Sequence, residues 1–485
     1  MPTTADYIRI LPEIVLSVWG MIVMFIEPIL PEGRSRKGLG VFSTLGILIA
    51  IAATFYQAQP QFAGFGFNQM LRVDHFSIFF HLVVLLVALA TTLMSLDYLP
   101  FQKIDHGEYY ALILLGSVGT CLMSSAVELV LIFIALEISS IASYILAGFR
   151  RQAAESSESS MKYFLLGSFA TAFFLYGVAL LYGATGSTNV FDIANTLSNG
   201  SHIEPLAYVA VALIFTGLGF KVGCAPFHVW TPDVYEGAPS PVVAFMSTAP
   251  KAAAFAVLIR LVIDTASPNW FWVIWIAAVL SMCVGNLGAI LQSNVKRMLA
   301  YSSIAHAGYL MVAFASASNR ELGISAAMFY SAAYAAMNVG AFAVVTHMAG
   351  SGERFSQIDD YSGLGKRSPF LAATLTFFLL SLIGIPITGG FFAKFYVFSA
   401  ALRTHLIWLT IIGVANSGLG SYYYLRLIVR MYMFEPRTEA PAPPVRFGMG
   451  MALAISLIAT LWLGVFPNAV LQYTQGTPTI RAVIR

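Results

Sequence analysis

Charge is what this sequence has least of. Only 10% of its 485 residues are charged and 58% are hydrophobic, whereas an ordinary soluble domain is about 25% charged. That shortage excludes a soluble enzyme or binding domain of this length. Cysteine is nearly as scarce: Cys121, Cys224 and Cys283 lie inside apolar runs and form no C-x-x-C pair. An iron–sulfur cluster or structural zinc therefore has no ligand set here, and no metal site is expected. Neither a Walker A sequence nor a G-x-G-x-x-G fingerprint occurs, so nucleotide chemistry has no binding loop in this chain. His228, His306 and His347 sit near or within apolar segments, but their spacing does not suggest paired axial haem ligands. The opening stretch, "MPTTADYIRILPEIVLSVWGMIVMFIEPILP", lacks a basic n-region and an A-x-A cleavage pattern and carries acids at both ends of its apolar run. It reads as a retained first span.

What the sequence has in abundance is apolar runs of about 20 residues, each enough to cross a hydrocarbon core about 30 Å thick. Fourteen are counted, at 8–27, 40–57, 75–95, 109–126, 127–149, 162–184, 205–226, 241–263, 270–292, 298–316, 325–349, 369–402, 406–430 and 447–466. None alternates with the period of a barrel strand. The expected fold is an all-α polytopic membrane protein of fourteen transmembrane helices. The longest connections, 185–204 and 350–368, leave no room for a soluble domain. Loop Lys and Arg residues divide fifteen to seven between alternate sides, which puts the richer side in the cytoplasm and both termini outside. The net charge of +3 follows from this asymmetry and carries no implication of nucleic-acid binding.

Two spans are interrupted in matching ways. The seventh ends in "FKVGCAPFHVWTPDVYEGAPSP", with Pro226, and the twelfth contains "LIGIPITGGFFAKFYVF", with Pro386, Gly389 and Gly390. Five spans separate the breaks, so a block of five helices would recur with opposite orientation: residues 109–263, then 264–433, with 1–108 before them and 434–485 after. Broken helices at corresponding positions of an inverted repeat mark an ion site near the midplane; Pro and Gly that merely kink a span are the competing reading.

Each ion inside a span needs a reason, because insertion costs about 2.5–3.5 kcal/mol at a helix centre. Glu137 lies near the middle of the fifth span, with Ser140 and Tyr144 on its face at i+3 and i+7. Lys221 closes the first half of the seventh. Lys251 shares a face with Ser247 and Thr248, and Lys394 follows the second break. His306 in "AYSSIAHAGYLMVAF" shares its face with Ser302, Ser303 and Tyr309. A hydroxyl stripe of this kind orders water. Each ion could simply pair to hold helices together, but three lysines against so few mid-span acids leave excess positive charge unless some are neutral part of the time. A buried lysine near Glu137 is then switched by moving that partner, as a proton relay requires. Glu128 faces away from Glu137, with a structural role equally open. Asp233 and Glu236 follow the break and are expected to cap the short helix there, with the lining of a cytoplasmic mouth as the other reading.

The blocks "GFKVGCAPFHVWTPDVYEGAPSPVVAFMSTAPKAAAFAVLIR", "ESSMKYFLLGSFATAFFLYGVALLYGATG", "AYSSIAHAGYLMVAF" and "GIPITGGFFAKFYVF" closely resemble the subunit N family of bacterial NADH:quinone oxidoreductase, respiratory complex I. That family is similar in turn to Mrp-type cation/proton antiporters. The resemblance covers essentially the whole chain. Subunit L types continue into a long lateral helix, whereas this sequence stops about twenty residues after its last span; subunit M types usually carry an acid where Lys394 stands. The resemblance implies a proton channel in the membrane arm, with no flavin, cluster or quinone of its own. NADH, FMN, iron–sulfur clusters and quinone would belong to partner subunits. The partners implied are other membrane-arm subunits, further antiporter-like subunits among them, with lipids and protons. By motif match Glu137, Lys221, Lys251, His306 and Lys394 form the relay. The place implied is the bacterial inner membrane. A stand-alone sodium or potassium/proton antiporter of the Mrp type is the alternative function; a purely structural spacer would not need three buried lysines.

Overall fold

A chain crossing lipid must satisfy every backbone N–H and C=O within itself, which leaves the helix as the available solution for an open chain. The computed structural model describes residues 2–31, 33–199, 205–265, 269–316, 320–436 and 444–475. The first part comprises α1 (Thr4–Ile8), α2 (Leu11–Ile26), α3 (Lys37–Gln57), α4 (His75–Phe101), α5 (Glu108–Ser125), α6 (Leu129–Ala147), α7 (Ala154–Thr185) and α8 (Val190–Asn199). Then come α9 (Pro205–Val222), α10 (Trp230–Gly237), α11 (Ser240–Met246), α12 (Ala249–Thr265), α13 (Asn269–Ile290) and α14 (Val295–Ala315). The last are α15 (Arg320–Met348), α16 (Leu364–Arg367), α17 (Pro369–Ile383), α18 (Gly389–Arg403), α19 (Ile407–Met433), α20 (Phe447–Val465) and α21 (Pro467–Gln475). Every expected span falls on one of these helices or on two in succession. Among the described residues, eleven helices are long and apolar enough to cross a membrane. Arg437, Arg481 and Arg485, which entered the charge count, lie outside the described residues, as does the side chain of Arg320.

Both expected interruptions are present. α9 stops at Val222 and α10 starts at Trp230, with Gly223 at φ +71° making the first turn out of the helix. α17 stops at Ile383 on Gly384, φ +98°, and α18 starts at Gly389. Gly390 allows α18 to press against α17: a Cβ there would sit 1.8 Å from the Ser381 carbonyl oxygen. Pro226 and Pro386 lie on the exposed rims of the two breaks.

One expectation needs correction. The span expected at 241–263 is not continuous, because α11 and α12 are separated by Ser247 and Thr248. Both hydroxyls donate to the Ala244 carbonyl, at 3.1 and 2.6 Å, and Pro250 has no N–H with which to continue the helical ladder. The fold is all-α, as expected, with one short hairpin among the described residues. Strands β1 (Gly64–Gly66) and β2 (Leu71–Val73) form a small antiparallel hairpin, turned by Phe67, Asn68 and Gln69 at positive φ.

That hairpin, α1 and the start of α4 lie together on what is here termed the N-terminal face; Phe67 N donates to Asp6 at 3.3 Å and Asp74 N-caps α4. On the opposite, far face the connection after α15 folds inward. There Glu353, 9% exposed, accepts from Lys296, Arg150, Tyr98 and the Ser240 N–H at 2.7–2.8 Å. Burial alone would raise this carboxyl, but the Lys296 and Arg150 charges outweigh it and hold Glu353 at about 2. Burial also sorts the helices: every residue of Ser240–Leu261 is buried and nearly every residue of Val295–Ala315, whereas most of Leu11–Ile29 is not. The central position goes to the helices that carry Lys251 and His306.

Candidate proton pathway

The site begins on α6. Ser140 lies one turn beyond Glu137, and its hydroxyl accepts from Lys221 Nζ at 2.8 Å. Glu137 itself makes no ion pair with Lys221 within 4.0 Å, and its buried Oε1 has no hydrogen-bond partner. Pairing of Glu137 with Lys221, directly or through one water, was expected; Lys221 donates to Ser140, which helix geometry sets on the Glu137 face. Tyr144, the next residue of that face, packs edge-on against Tyr163 at 4.7 Å and over Gly167.

One residue separates Lys221 from Gly223, and the second lysine reaches the break there. A Cβ on Gly223 would lie 3.2 Å from Lys251 Nζ. Lys251 donates to Ser303 on α14 at 2.6 Å and lies 5.5 Å over the Tyr235 ring. Three residues along the same face, His306 Nδ1 is 2.7 Å from Tyr330 Oη, and its Nε2 is 3.4 Å from Tyr424 Oη. Tyr424 also meets the Ser302 hydroxyl. Between Lys251 and His306 is a cavity of about 20 Å³, lined by Thr248, Ser303, Tyr330, Ser331 and Tyr334 among others. It is large enough for one water, for which roughly 10–15 Å³ suffices.

The second break holds Lys394 in the same manner. Its Nζ donates to the carbonyls of Leu382 and Ile383, at 3.0 and 2.8 Å, which the end of α17 leaves without helical partners, and to Ser417 at 2.8 Å. It also lies 5.1 Å over the Tyr309 ring, and Tyr309 Oη accepts from Asn286 at 3.1 Å. Lys221, Lys251 and Lys394 are 4%, 3% and 9% exposed.

Several expected residues do other work. Ser247 accepts from Asn338 at 2.8 Å across to α15. Glu128 caps α6, accepting from Leu131 N at 2.7 Å. Asp233 and Glu236 do not cap α10, whose N-cap Val229 has no side-chain bond. They pair with Arg297 at 2.8 and 2.7 Å, and Asp233 also with Lys162 at 2.7 Å. Cations on α7 and α14 reach these carboxylates, which therefore fasten α10 to its neighbours. Residue spacing did not reveal Tyr330, Tyr424, Ser417 or Asn286, although polar side chains in apolar spans are a usable signal. Away from the pathway, ligand atoms of Glu27, His106 and Glu108 lie within 4.8 Å of one another, as a metal could use; Glu27 is already paired with Arg36 at 2.8 Å.

Comparison with known proteins decides the family. Residues 126–420 match the family described as NADH:quinone oxidoreductase/Mrp antiporter, TM. NADH-quinone oxidoreductase subunit N 2 of Koribacter versatilis is 61% identical over 475 residues, covering 97% of this chain and 96% of that protein. The chain belongs to the subunit N family of NADH:quinone oxidoreductase. A chain of respiratory complex I from Thermus thermophilus, solved with bound aureothin, superposes with TM-score 0.80 at 34% identity, covering 95% of this chain and 98% of that one. The Mrp complex from Dietzia sp. supplies a chain with TM-score 0.82 at 21% identity, covering 98% and 96%, and so shares the subunit N fold.

Proposed function

We propose that this chain moves protons across the bacterial inner membrane through Glu137, Lys221, Lys251, His306 and Lys394, driven by redox chemistry in partner subunits. Membership of the subunit N family makes it an antiporter-like, proton-translocating membrane subunit of NADH:quinone oxidoreductase, working beside other membrane-arm subunits. NADH, FMN, iron–sulfur clusters and quinone are assigned to those partners. The stand-alone Mrp reading has weaker support, since that likeness is one of fold.

The observation that carries the relay is that a separate serine hydroxyl meets each buried lysine: Ser140 at Lys221, Ser303 at Lys251 and the half-buried Ser417 at Lys394. A hydroxyl both accepts and donates, so it passes a proton where a methyl would stop it. Moving Glu137 toward or away from Lys221, across Ser140, switches the first lysine; the cavity between Lys251 and His306 carries the proton on toward the third. The two breaks fit the proposed inverted halves, 109–263 and 264–433, and the Lys/Arg asymmetry supports an orientation with the N-terminal face outside the cell.

The test is a pair of substitutions. Lys221→Arg keeps the charge, but a guanidinium with a pKa above 12 cannot release its proton on a useful time scale; Lys221→Ala removes both charge and carrier. Both variants should assemble and lose redox-coupled pumping, measured as proton uptake and quinone reduction in vesicles per assembled complex. Near-normal pumping by Lys221→Arg would defeat the carrier role and transfer it to Lys251.

A further inference from the structure

The three N-terminal transmembrane helices lie outside both broken-helix halves, yet two of them bury an acid and a base against each other. Glu13, in the first turn of α2, is 3% exposed, and His81 on α4 is 0% exposed. Glu13 Oε1 and His81 Nε2 are 3.4 Å apart. His81 Nε2 is also 3.0 Å from the Cys121 carbonyl oxygen on α5. A carbonyl only accepts, so Nε2 carries a hydrogen and the open valence of a neutral ring is at Nδ1. Neither Glu13 oxygen nor His81 Nδ1 has a hydrogen-bond partner, and all three atoms are buried. A pair serving only to join helices would satisfy its polar atoms.

The charges around the pair suit a variable proton count. The titratable and charged groups facing it are the Cys121 thiol on α5 and, toward the N-terminal face, Asp74, Arg72 and Arg260. Asp74 is met by Arg260 at 2.9 Å and Arg72 at 3.3 Å. With Glu13 a carboxylate beside a neutral His81 the pair carries one negative charge. With one more proton the pair is neutral, as carboxylate and imidazolium or as carboxylic acid and imidazole. The contacts continue outward: Ser124 donates to the Cys121 carbonyl at 2.8 Å, and Arg260 donates to the Ser124 carbonyl at 3.3 Å.

We propose that Glu13 and His81 together form a further proton-binding site, distinct from the lysine relay and opening toward the N-terminal face through the Asp74–Arg260 cluster. The bound species is a single exchangeable proton, taken from water on that face and returned to it. The site does not depend on the roles given to Lys221, Lys251 or Lys394.

Infrared spectroscopy of the intact complex tests this without reference to pumping, so failure here and failure of the relay are separable. Over about pH 5–9, which brackets imidazole titration, the wild type should show a buried carboxylic C=O stretch whose intensity changes with pH. Glu13→Gln should abolish that signal. His81→Gln keeps a donor for the Cys121 carbonyl but removes the base, and should displace the pH at which the signal changes. A structural role would leave that pH unmoved. A wild-type spectrum with no titrating C=O signal overturns the proposal, as does an unchanged midpoint in His81→Gln. If Glu13→Gln fails to assemble, the His81→Gln displacement decides the matter alone.

Discussion

Gly223→Ala puts a methyl where the first break meets the second lysine. At φ +71° an L-residue is in the left-handed region, which costs roughly 1–2 kcal/mol. The added Cβ would also stand 2.9 Å from Thr231 Oγ1 and 3.2 Å from Lys251 Nζ. Something must give, and the free end of a lysine gives most easily. Lys251 would then lose its 2.6 Å bond to Ser303. A hydrogen bond to a charged group contributes roughly 1.5–3 kcal/mol, so a transfer step needing that geometry should slow about ten- to a hundredfold. Gly186→Ala is the control. Gly186 ends α7 at φ +75° with nothing within 4 Å of its added Cβ, so it has the backbone strain without the lysine contact. The assay is proton uptake by vesicles during NADH oxidation, per assembled complex. Gly223→Ala should lose most of its pumping and Gly186→Ala should keep it. Equal pumping by the two variants, or loss in Gly223→Ala that only follows loss of assembled complex, would refute the reasoning.

Other outcomes follow from the same geometry. Ser303→Ala, which removes the only side-chain oxygen accepting from Lys251 among the described residues, should lower pumping more than it lowers assembly, and Ser303→Thr should restore much of it. Tyr424→Phe should slow pumping with little effect on stability, since it removes one hydroxyl shared by His306 and Ser302; thermal unfolding alongside the pumping assay separates the two effects. Glu353→Ala should destabilise the complex by about 3–5 kcal/mol, because it leaves Lys296 buried without its carboxylate. Glu353 is held at about 2, below the ordinary 4.5. Its contribution is therefore complete above the unfolded value and lost as pH falls from about 4.5 through 2, so acid-unfolding curves of wild type and Glu353→Ala should converge in that window.

Helix periodicity made the near neighbours of each ion legible. Ser140 follows Glu137 by three residues and His306 follows Ser303 by three, so their shared faces could be read before any fold was known. The breaks were legible too, because Pro and Gly interrupt an apolar run visibly. Partners from distant helices were not. Tyr330, Tyr424 and Ser417 reach the pathway from α15 and α19, and a periodic pattern fixes which face of a helix is polar without fixing what it meets. Glu13 was not singled out within the first span, and a separation of 68 positions in sequence from His81 concealed the pair. The misreading of Asp233 and Glu236 has a related cause: a carboxylate near a helix start looks like a cap until the cations of two other helices are seen beside it.

The interruption between α11 and α12 bears on how force can reach Lys251. At its other end α12 is pinned, with Arg260 paired to Asp74, bonded to the Ser124 carbonyl and lying 4.6 Å over the Phe76 ring. A rod fixed at one end swings at the other. Pro250 sits at the free end, so tilting there sacrifices no backbone bond from that residue, whereas sliding the rod along its axis would break the whole anchor. A push or pull from neighbouring subunits, were it to reach α12, would therefore meet least backbone resistance as a small tilt near Lys251 and most resistance at the Arg260 end.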